Sequence, residues 1–473
     1  MRFHLFHTTQ IYYNLIIILK IKLSLYVLQD IVAHFAALGK DGFAPFPCGV
    51  LLRKEAFFAR IFARKKMSLY EDLKWRTLIK DVAGEESELK RILDGEPFTF
   101  YWGTDPTADS LHLGHYTSLC MAKRLAEAGH HPILLCGGAT GRIGDPRPSA
   151  EREIIDTKVL EENIKKIRAQ VDSLLEGKAE LVDNYDWTRD FTFIEFLRDV
   201  GKYINVNYML DKDIIRRRLD TGITFAEFSY MLMQGYDFVH LFREKNCIMQ
   251  VAGSDQWGNI TTGVDLIRKM LGKTAYAFTM PLVVDSTGKK FGKSEGNALW
   301  LDKEKTSPYQ IYQYLYNSDD EKVFEYLKVL TFLPREKIEE IESLHKDSPE
   351  KRIAQKTLAF EVVKDIHGAE EAEKAVSGAL AAFSGEGSKE NMPTFESSRA
   401  ELDAGKGAID LFFEAGLGAT KSDVRRLILQ NGAAVNGKTF SDVKRVLSAS
   451  DLDGDGELVL RAGKKKFVRV VFK

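Results

Sequence analysis

Two clusters carry residue types suited to phosphate chemistry. His112-Leu-Gly-His115 sets two imidazoles around a glycine, and Lys289-Lys290-Phe-Gly-Lys293-Ser294 sets ammonium groups on both sides of another. A His pair so spaced could ligate a metal, but no Cys or acid at fitting spacing joins it, so no metal is assigned. The pair opens an amphipathic stretch, and a helix N-terminus attracts anions through its unpaired N–H groups and dipole. Imidazoles there would donate to phosphate oxygens, with Gly114 allowing close approach. The second cluster mimics a P-loop, yet three residues separate Gly288 from Gly292 where a P-loop has four. It reads as a cationic clamp in which Lys290 and Lys293 meet charge developing on a leaving pyrophosphate. A lysine-rich loop alone is usually a solvated turn. The two clusters in this order are far more specific.

The elements that must position these residues are legible. Residues 98–103 alternate as a strand, 104–111 hold turn residues, 116–128 form an amphipathic helix and 132–136 a buried strand. This is a βαβ unit, which predicts an α/β, Rossmann-like, doubly wound parallel sheet with its ligand at the carboxyl ends of the strands. Residues 73–93 have helical spacing, 149–237 are mostly helical, and further strands are expected near 247–251 and 281–285. The expected division is a catalytic domain with a helical insertion over 67–299, an α-helical domain over 300–383, a linker over 384–406, and a small α+β domain over 407–473.

The chain has 473 residues, 44% hydrophobic and 29% charged, an ordinary globular composition. Its net charge of −1 conceals two unlike parts. Residues 1–66 hold ten of the 67 Lys/Arg and three of the 68 acids, so the remainder carries an excess of eight acids. Within that acidic remainder, 407–473 have twelve Lys/Arg against eight acids, the pattern of a polyanion-binding module. The 1–66 stretch lacks a run long enough to span a membrane. It is read as a start placed upstream of Met67, with a presequence or a disordered extension as alternatives. The four Cys have no paired spacing, which fits a reducing, cytoplasmic compartment.

Four further stretches surround the two clusters. Phe100-Tyr-Trp-Gly-Thr-Asp-Pro-Thr-Ala-Asp-Ser-Leu-His-Leu-Gly-His115, Gly137-Gly-Ala-Thr-Gly-Arg-Ile-Gly-Asp-Pro146, Phe228-Ser-Tyr-Met-Leu-Met-Gln-Gly-Tyr-Asp237 and Gly253-Ser-Asp-Gln-Trp-Gly-Asn259 follow in order. With the two clusters they resemble the class I aminoacyl-tRNA synthetases, and among them the bacterial tyrosyl enzymes. The resemblance runs from about Met67 to Lys473 and omits 1–66.

That resemblance implies a tyrosine–tRNA ligase using ATP, with magnesium carried on the nucleotide. Its partners would be tRNA(Tyr), L-tyrosine and a second copy of the chain in a homodimer. Tyr101 and Asp237 would read the phenolic hydroxyl, so that phenylalanine leaves buried polar groups unpaired. Asp145, Tyr230 and Gln234 would hold the substrate ammonium. Asp105, Gln256 and Gln250 would line the aminoacyl region. Asp255 would bind the adenosine ribose. Thr107, His112 and His115, with Lys290, Lys293 and Ser294, would meet the phosphates, Gly114 and Ser118 lying beside them. Residues 421–437 resemble an S4-type RNA-binding domain, in which Lys421, Arg425 and Arg426 would contact tRNA phosphates, with Lys464, Lys465 and Lys466 as a second patch. Trp102 and Ser118 depart from many relatives and are expected to alter ATP affinity.

Bland readings stand beside several of these. A helical tyrosine such as Tyr230 is more often core than ligand, and Asp105 and Asp145 precede prolines as turn residues do. Asp451-Leu-Asp-Gly-Asp-Gly-Glu457 imitates an EF-hand but has Ala462 at the twelfth position, and is read as an acidic turn. A tryptophanyl enzyme is disfavoured because indole has no hydroxyl for Asp237 and Tyr101 to read. A short nucleotidylyltransferase would not explain the basic tail. An inactive RNA-binding paralogue would not need both clusters intact.

Overall fold

Thr77 and Gly84 shape the start of the catalytic fold. Both take positive φ, 60° and 109°, and they break the single helix expected over 73–93. Helix α1 (Leu69–Trp75), strand β1 (Val82–Ala83) and helix α2 (Glu86–Leu93) form instead. The computed structural model describes residues 67–146, 154–294, 297–384, 389–463 and 466–473. The extension over 1–66, Lys464 and Lys465, and the side chains of Lys293 and Ser294 lie outside that description.

The expected βαβ unit is present as β2 (Thr99–Thr104), α3 (Leu113–Glu127) and β3 (His131–Cys136), followed by α4 (Thr157–Leu174) and β4 (Glu180–Asp183). Four short helices then cross the insertion: α5 (Tyr185–Thr188), α6 (Phe193–Asp199), α7 (Val206–Leu210) and α8 (Asp213–Leu219). The long α9 (Phe225–Lys245) leads to β5 (Cys247–Gly253), α10 (Trp257–Leu271) and β6 (Tyr276–Met280). The strand expected near 281–285 therefore lies earlier, at β6. Residues 281–285 contribute only a bridge from Val284 to Lys290.

The sheet order is β1-β6-β5-β2-β3-β4. Strands β2 to β6 pair in parallel, and β1 is an antiparallel edge. The chain winds outward from β2 through β4, then returns to the other side of β2 as β5. That reversal opens a crevice at the carboxyl ends of β2 and β5, where doubly wound sheets bind ligands.

A short hairpin of β7 (Lys293–Ser294) and β8 (Asn297–Ala298) precedes helices α11 (Pro308–Tyr316), α12 (Asp320–Leu330), α13 (Arg335–Asp347), α14 (Ile353–His367) and α15 (Ala369–Ser384). One hydrophobic core runs from Tyr70 through Leu134 and Phe278 to Leu358 and Ala379. The boundary expected at 299/300 is thus no break in packing.

The expected linker over 384–406 is corrected. It contains β9 (Thr394–Ser397), α16 (Arg399–Asp403) and the first residue of β10 (Lys406–Gly407). The elements α17 (Ala408–Glu414), α18 (Lys421–Leu429), β11 (Ala433–Val435), β12 (Lys438–Phe440), β13 (Val446–Leu447), β14 (Leu458–Ala462) and β15 (Lys466–Phe472) follow. Strand β9 pairs in parallel with β15 at the edge of a five-stranded sheet, and Leu402 is buried in the core of this C-terminal region. Gly, Ser and Glu around these few ordered residues diluted their pattern. Among the described residues no helix is long and apolar enough to cross a membrane.

Candidate active site

Loops after the central strands converge on one cavity of about 430 Å³. Tyr101 and Trp102 come from β2, and Asp105 and Thr107 from the loop after it. Thr140 and Asp145 follow β3. Tyr230, Gln234 and Asp237 lie on one face of α9, spaced four and three apart. Gln250 comes from β5, and Asp255 and Gln256 from the turn beyond it. His112, Gly114, His115, Ser118 and Lys290 line the same cavity. The sequence-predicted tyrosine and nucleotide residues with described side chains are therefore brought together.

The floor is built around buried Asp237. Asn184 Nδ2 donates to its Oδ2 and Trp187 Nε1 to its Oδ1, both at 2.9 Å. Burial raises the carboxyl pKa to about 7, against the two hydrogen bonds, which lower it. Beside it Tyr101 is buried, and its hydroxyl has no partner among the described residues. Burial and then the Asp237 charge push that phenol well above its usual range. Gln234 Oε1 is another buried atom of the cavity without a partner among the described residues. Native interiors rarely leave such groups unpaired, so the cavity is shaped for a ligand bringing its own donors.

The opposite end is acidic. Asp105 accepts from Tyr230 Oη at 2.9 Å and from Thr140 Oγ1 at 2.8 Å. Asp145 accepts from Gln256 Nε2 at 3.2 Å and Asn259 Nδ2 at 3.1 Å. Asn184 Nδ2 also donates to Thr140 Oγ1 at 3.0 Å, so a hydrogen-bond chain links Asp105 to Asp237. Asn184, Trp187 and Thr140 were missed from the sequence. The available signal was position: Asn184 stands just past β4, at the carboxyl edge of the sheet. Gly137 is required here, because a Cβ would lie 2.1 Å from Asp105 Oδ1.

The His pair corrects one expectation. The N-terminal N–H groups of α3 are not all presented to an anion, because the imidazoles cap them. His112 Nδ1 accepts from the Gly114 N–H at 3.0 Å, and His115 Nδ1 accepts from the His112 N–H at 3.3 Å. The rings stack with centroids 3.9 Å apart. With Nδ1 accepting, each neutral ring carries its proton on Nε2. Desolvation and the neighbouring His112 lower the His115 pKa to about 3, so it stays neutral. The Lys loop packs against this helix start. Gly292 has φ +81°, and a Cβ there would lie 2.7 Å from the Gly114 nitrogen.

A family profile described as tRNA synthetases class I (W and Y) matches residues 93–384. A tyrosine–tRNA ligase of Bacillus velezensis is 45% identical over 424 residues, covering 86% of this chain and all of that one. The chain belongs to the tyrosine–tRNA ligases of class I. A Streptococcus pyogenes relative is 43% identical over 420 residues, with the same coverage of both chains. A C-terminally truncated mitochondrial tyrosyl-tRNA synthetase of Aspergillus nidulans matches in structure at TM-score 0.61 and 32% identity, covering 69% of this ligase and 97% of the mitochondrial chain.

In the C-terminal region of the ligase, Lys421, Arg425 and Arg426 are exposed on α18. Lys421 pairs with Asp410 at 2.6 Å and Arg426 with Asp423, whereas Arg425 makes no ion pair among the described residues. Lys466 opens β15. The acidic turn is bound by Lys389, which reaches Asp453 at 2.7 Å and Asp455 at 2.6 Å. No cluster of metal-ligating side chains occurs among the described residues.

Proposed function

We propose that this cavity runs both halves of tyrosylation, the tyrosine phenol lying at Asp237 and the ammonium between Asp105 and Asp145. The observation that carries the reading is the buried Tyr101 hydroxyl beside Asp237, without a partner among the described residues. A phenol inserted there donates to the carboxylate and accepts from Tyr101, and phenylalanine would leave both unpaired. The tyrosine carboxylate attacks the α-phosphorus of ATP. The bond to pyrophosphate breaks, and tyrosyl-adenylate remains. A ribose hydroxyl at the 3′ end of tRNA(Tyr) then attacks the tyrosyl carbonyl and releases AMP. No side chain serves as nucleophile. His112 and His115 donate through Nε2 to the phosphates, with Thr107 nearby, and Lys290 and Lys293 neutralise the departing charge. Ser294, Ser118 and Gly114 belong to the same nucleotide contact, and Asp255 takes the ribose. Gln250 and Gln256 border the aminoacyl group. Magnesium enters on ATP as part of the substrate.

Lys421, Arg425, Arg426, Lys464, Lys465 and Lys466 form the proposed tRNA-phosphate surface, which positions the RNA more than it reads its sequence. The proposed setting is the cytoplasm. The proposed assembly is a homodimer built on the exposed apolar insertion. The test is amino-acid-dependent exchange of pyrophosphate into ATP. Exchange with tyrosine and not with phenylalanine or tryptophan is expected, and exchange with none of them rejects the reading.

A further inference from the structure

Helix α3 carries the His pair at its start and a second set of polar residues behind it. Tyr116, Cys120, Lys123 and Arg124 are spaced to share one face. That face meets the helical segment after residue 300. The Tyr116 hydroxyl donates to Asp365 Oδ2 at 2.8 Å, and Lys123 Nζ meets Asp365 Oδ1 at 2.5 Å. Arg124 donates to the carbonyls of Lys328 at 3.2 Å, Val329 at 3.1 Å and Thr331 at 2.5 Å. One carboxylate on α14 thus takes two groups from α3, one on each oxygen, across 249 residues of sequence.

Tyr116 follows His115 directly, and its ring is 1% exposed. A hydroxyl so buried requires an acceptor, and Asp365 Oδ2 is much nearer than the other one, the Leu330 carbonyl at 3.4 Å. The capping bonds hold His112, Gly114 and His115 in the first turn of α3, so a rotation of the helix carries both imidazoles with Tyr116. Misplacement of reacting groups by about 1 Å is enough to slow a reaction about 10²-fold.

We infer that Asp365 is a positioning residue for the His112/His115 pair, acting through the Tyr116 hydroxyl and the Lys123 ammonium. The inference rests on the reading that those imidazoles meet the phosphates of ATP. Asp365 fixes the rotation of α3 about its axis, and with it the direction of both Nε2–H bonds. The same helical segment also holds the Lys loop, since the Gly292 N–H donates to Tyr314 Oη at 3.0 Å. Asp365 acts on the histidine side alone.

The test is steady-state tyrosine-dependent pyrophosphate exchange by the full chain. Tyr116→Phe and Asp365→Ala are each expected to lower kcat about tenfold, with the KM for tyrosine held within about twofold. The double variant should be no slower than Asp365→Ala, which already removes the Tyr116 contact. Asp365→Asn keeps an acceptor for the Tyr116 hydroxyl and should recover most of the rate. Single variants with unchanged kcat, losses that add in the double variant, or a KM for tyrosine that rises in step overturn the inference. If Tyr116→Phe does not fold, the Asp365 pair decides, and equal rates for Ala and Asn overturn it. His115→Ala separates the two levels. An unchanged rate there rejects the phosphate reading itself, whereas a slow His115→Ala beside unimpaired Tyr116→Phe and Asp365→Ala rejects only the role of Asp365.

Discussion

At the residue scale, His112 has two jobs on one ring, and they can be separated. Its Nδ1 caps α3, and the ring lines the cavity. Asparagine caps a helix as well as any residue but reaches no farther than the cap. His112→Asn is therefore expected to keep thermal stability while kcat for tyrosine-dependent exchange falls about 10²- to 10³-fold, the usual effect of deleting one preorganised donor. Equal activity of the two proteins would remove His112 from the chemistry. Asp237 gives a pH signature of opposite origin. Its pKa is 3.8 when exposed and about 7 in the fold. Between those values the unfolded chain has lost a proton that the folded chain keeps, so stability falls as pH rises through that window. Each unit of such a shift corresponds to about 1.4 kcal/mol. Asp237→Asn cannot ionise, so its urea midpoint should decline less than that of the wild type between pH 5 and pH 7.5. Parallel declines would place the titration elsewhere.

At the element scale, the two signature clusters work only if the hairpin sits against the start of α3. Gly292 is the contact point, with positive φ and no room for a Cβ beside the Gly114 nitrogen. Gly292→Ala should detach the Lys loop from the His pair, lowering kcat while tyrosine binding, followed by intrinsic fluorescence, is retained. Loss of tyrosine binding would mean instead that the whole crevice has deformed. Elements of this kind were legible in the sequence where patterns were local. The alternation of β2, the buried run of β3 and the ordered motifs around them predicted the crevice and about half of its lining, chiefly the polar half. What was not legible depended on partners distant in sequence. Asn184 is one polar residue in a loop, and only its pairing with Asp237 across 53 residues gives it a role. Strand β9 has few residues and acquires its identity from β15, which follows it by about seventy positions. The break of the first helix came from Thr77, a residue whose positive φ no periodicity announces.

At the scale of the whole molecule, the insertion leaves a surface that one chain does not cover. Phe193 and Phe225 are each 66% exposed, Ile194 75% and Val206 59%, and Leu197 and Leu219 stand out with them. All fall within 193–225, on or beside α6 to α9. Single exposed apolar residues are ordinary, and a contiguous group of large ones would mark an interaction surface. A second copy of the chain is the occupant that fits the proposed assembly, and a stable interface of about 1,600 Å² would need several such residues at its centre. The stretch just before this apolar group contributes Asn184 and Trp187, which hold Asp237. Ile194→Asp sets a charge on a side chain of α6 that is 75% exposed. Sedimentation velocity is expected to show a dimer for the wild type and a monomer for Ile194→Asp, both with the same far-ultraviolet circular dichroism. A wild type that sediments as a monomer, or a variant that stays dimeric, would assign this apolar face to another partner.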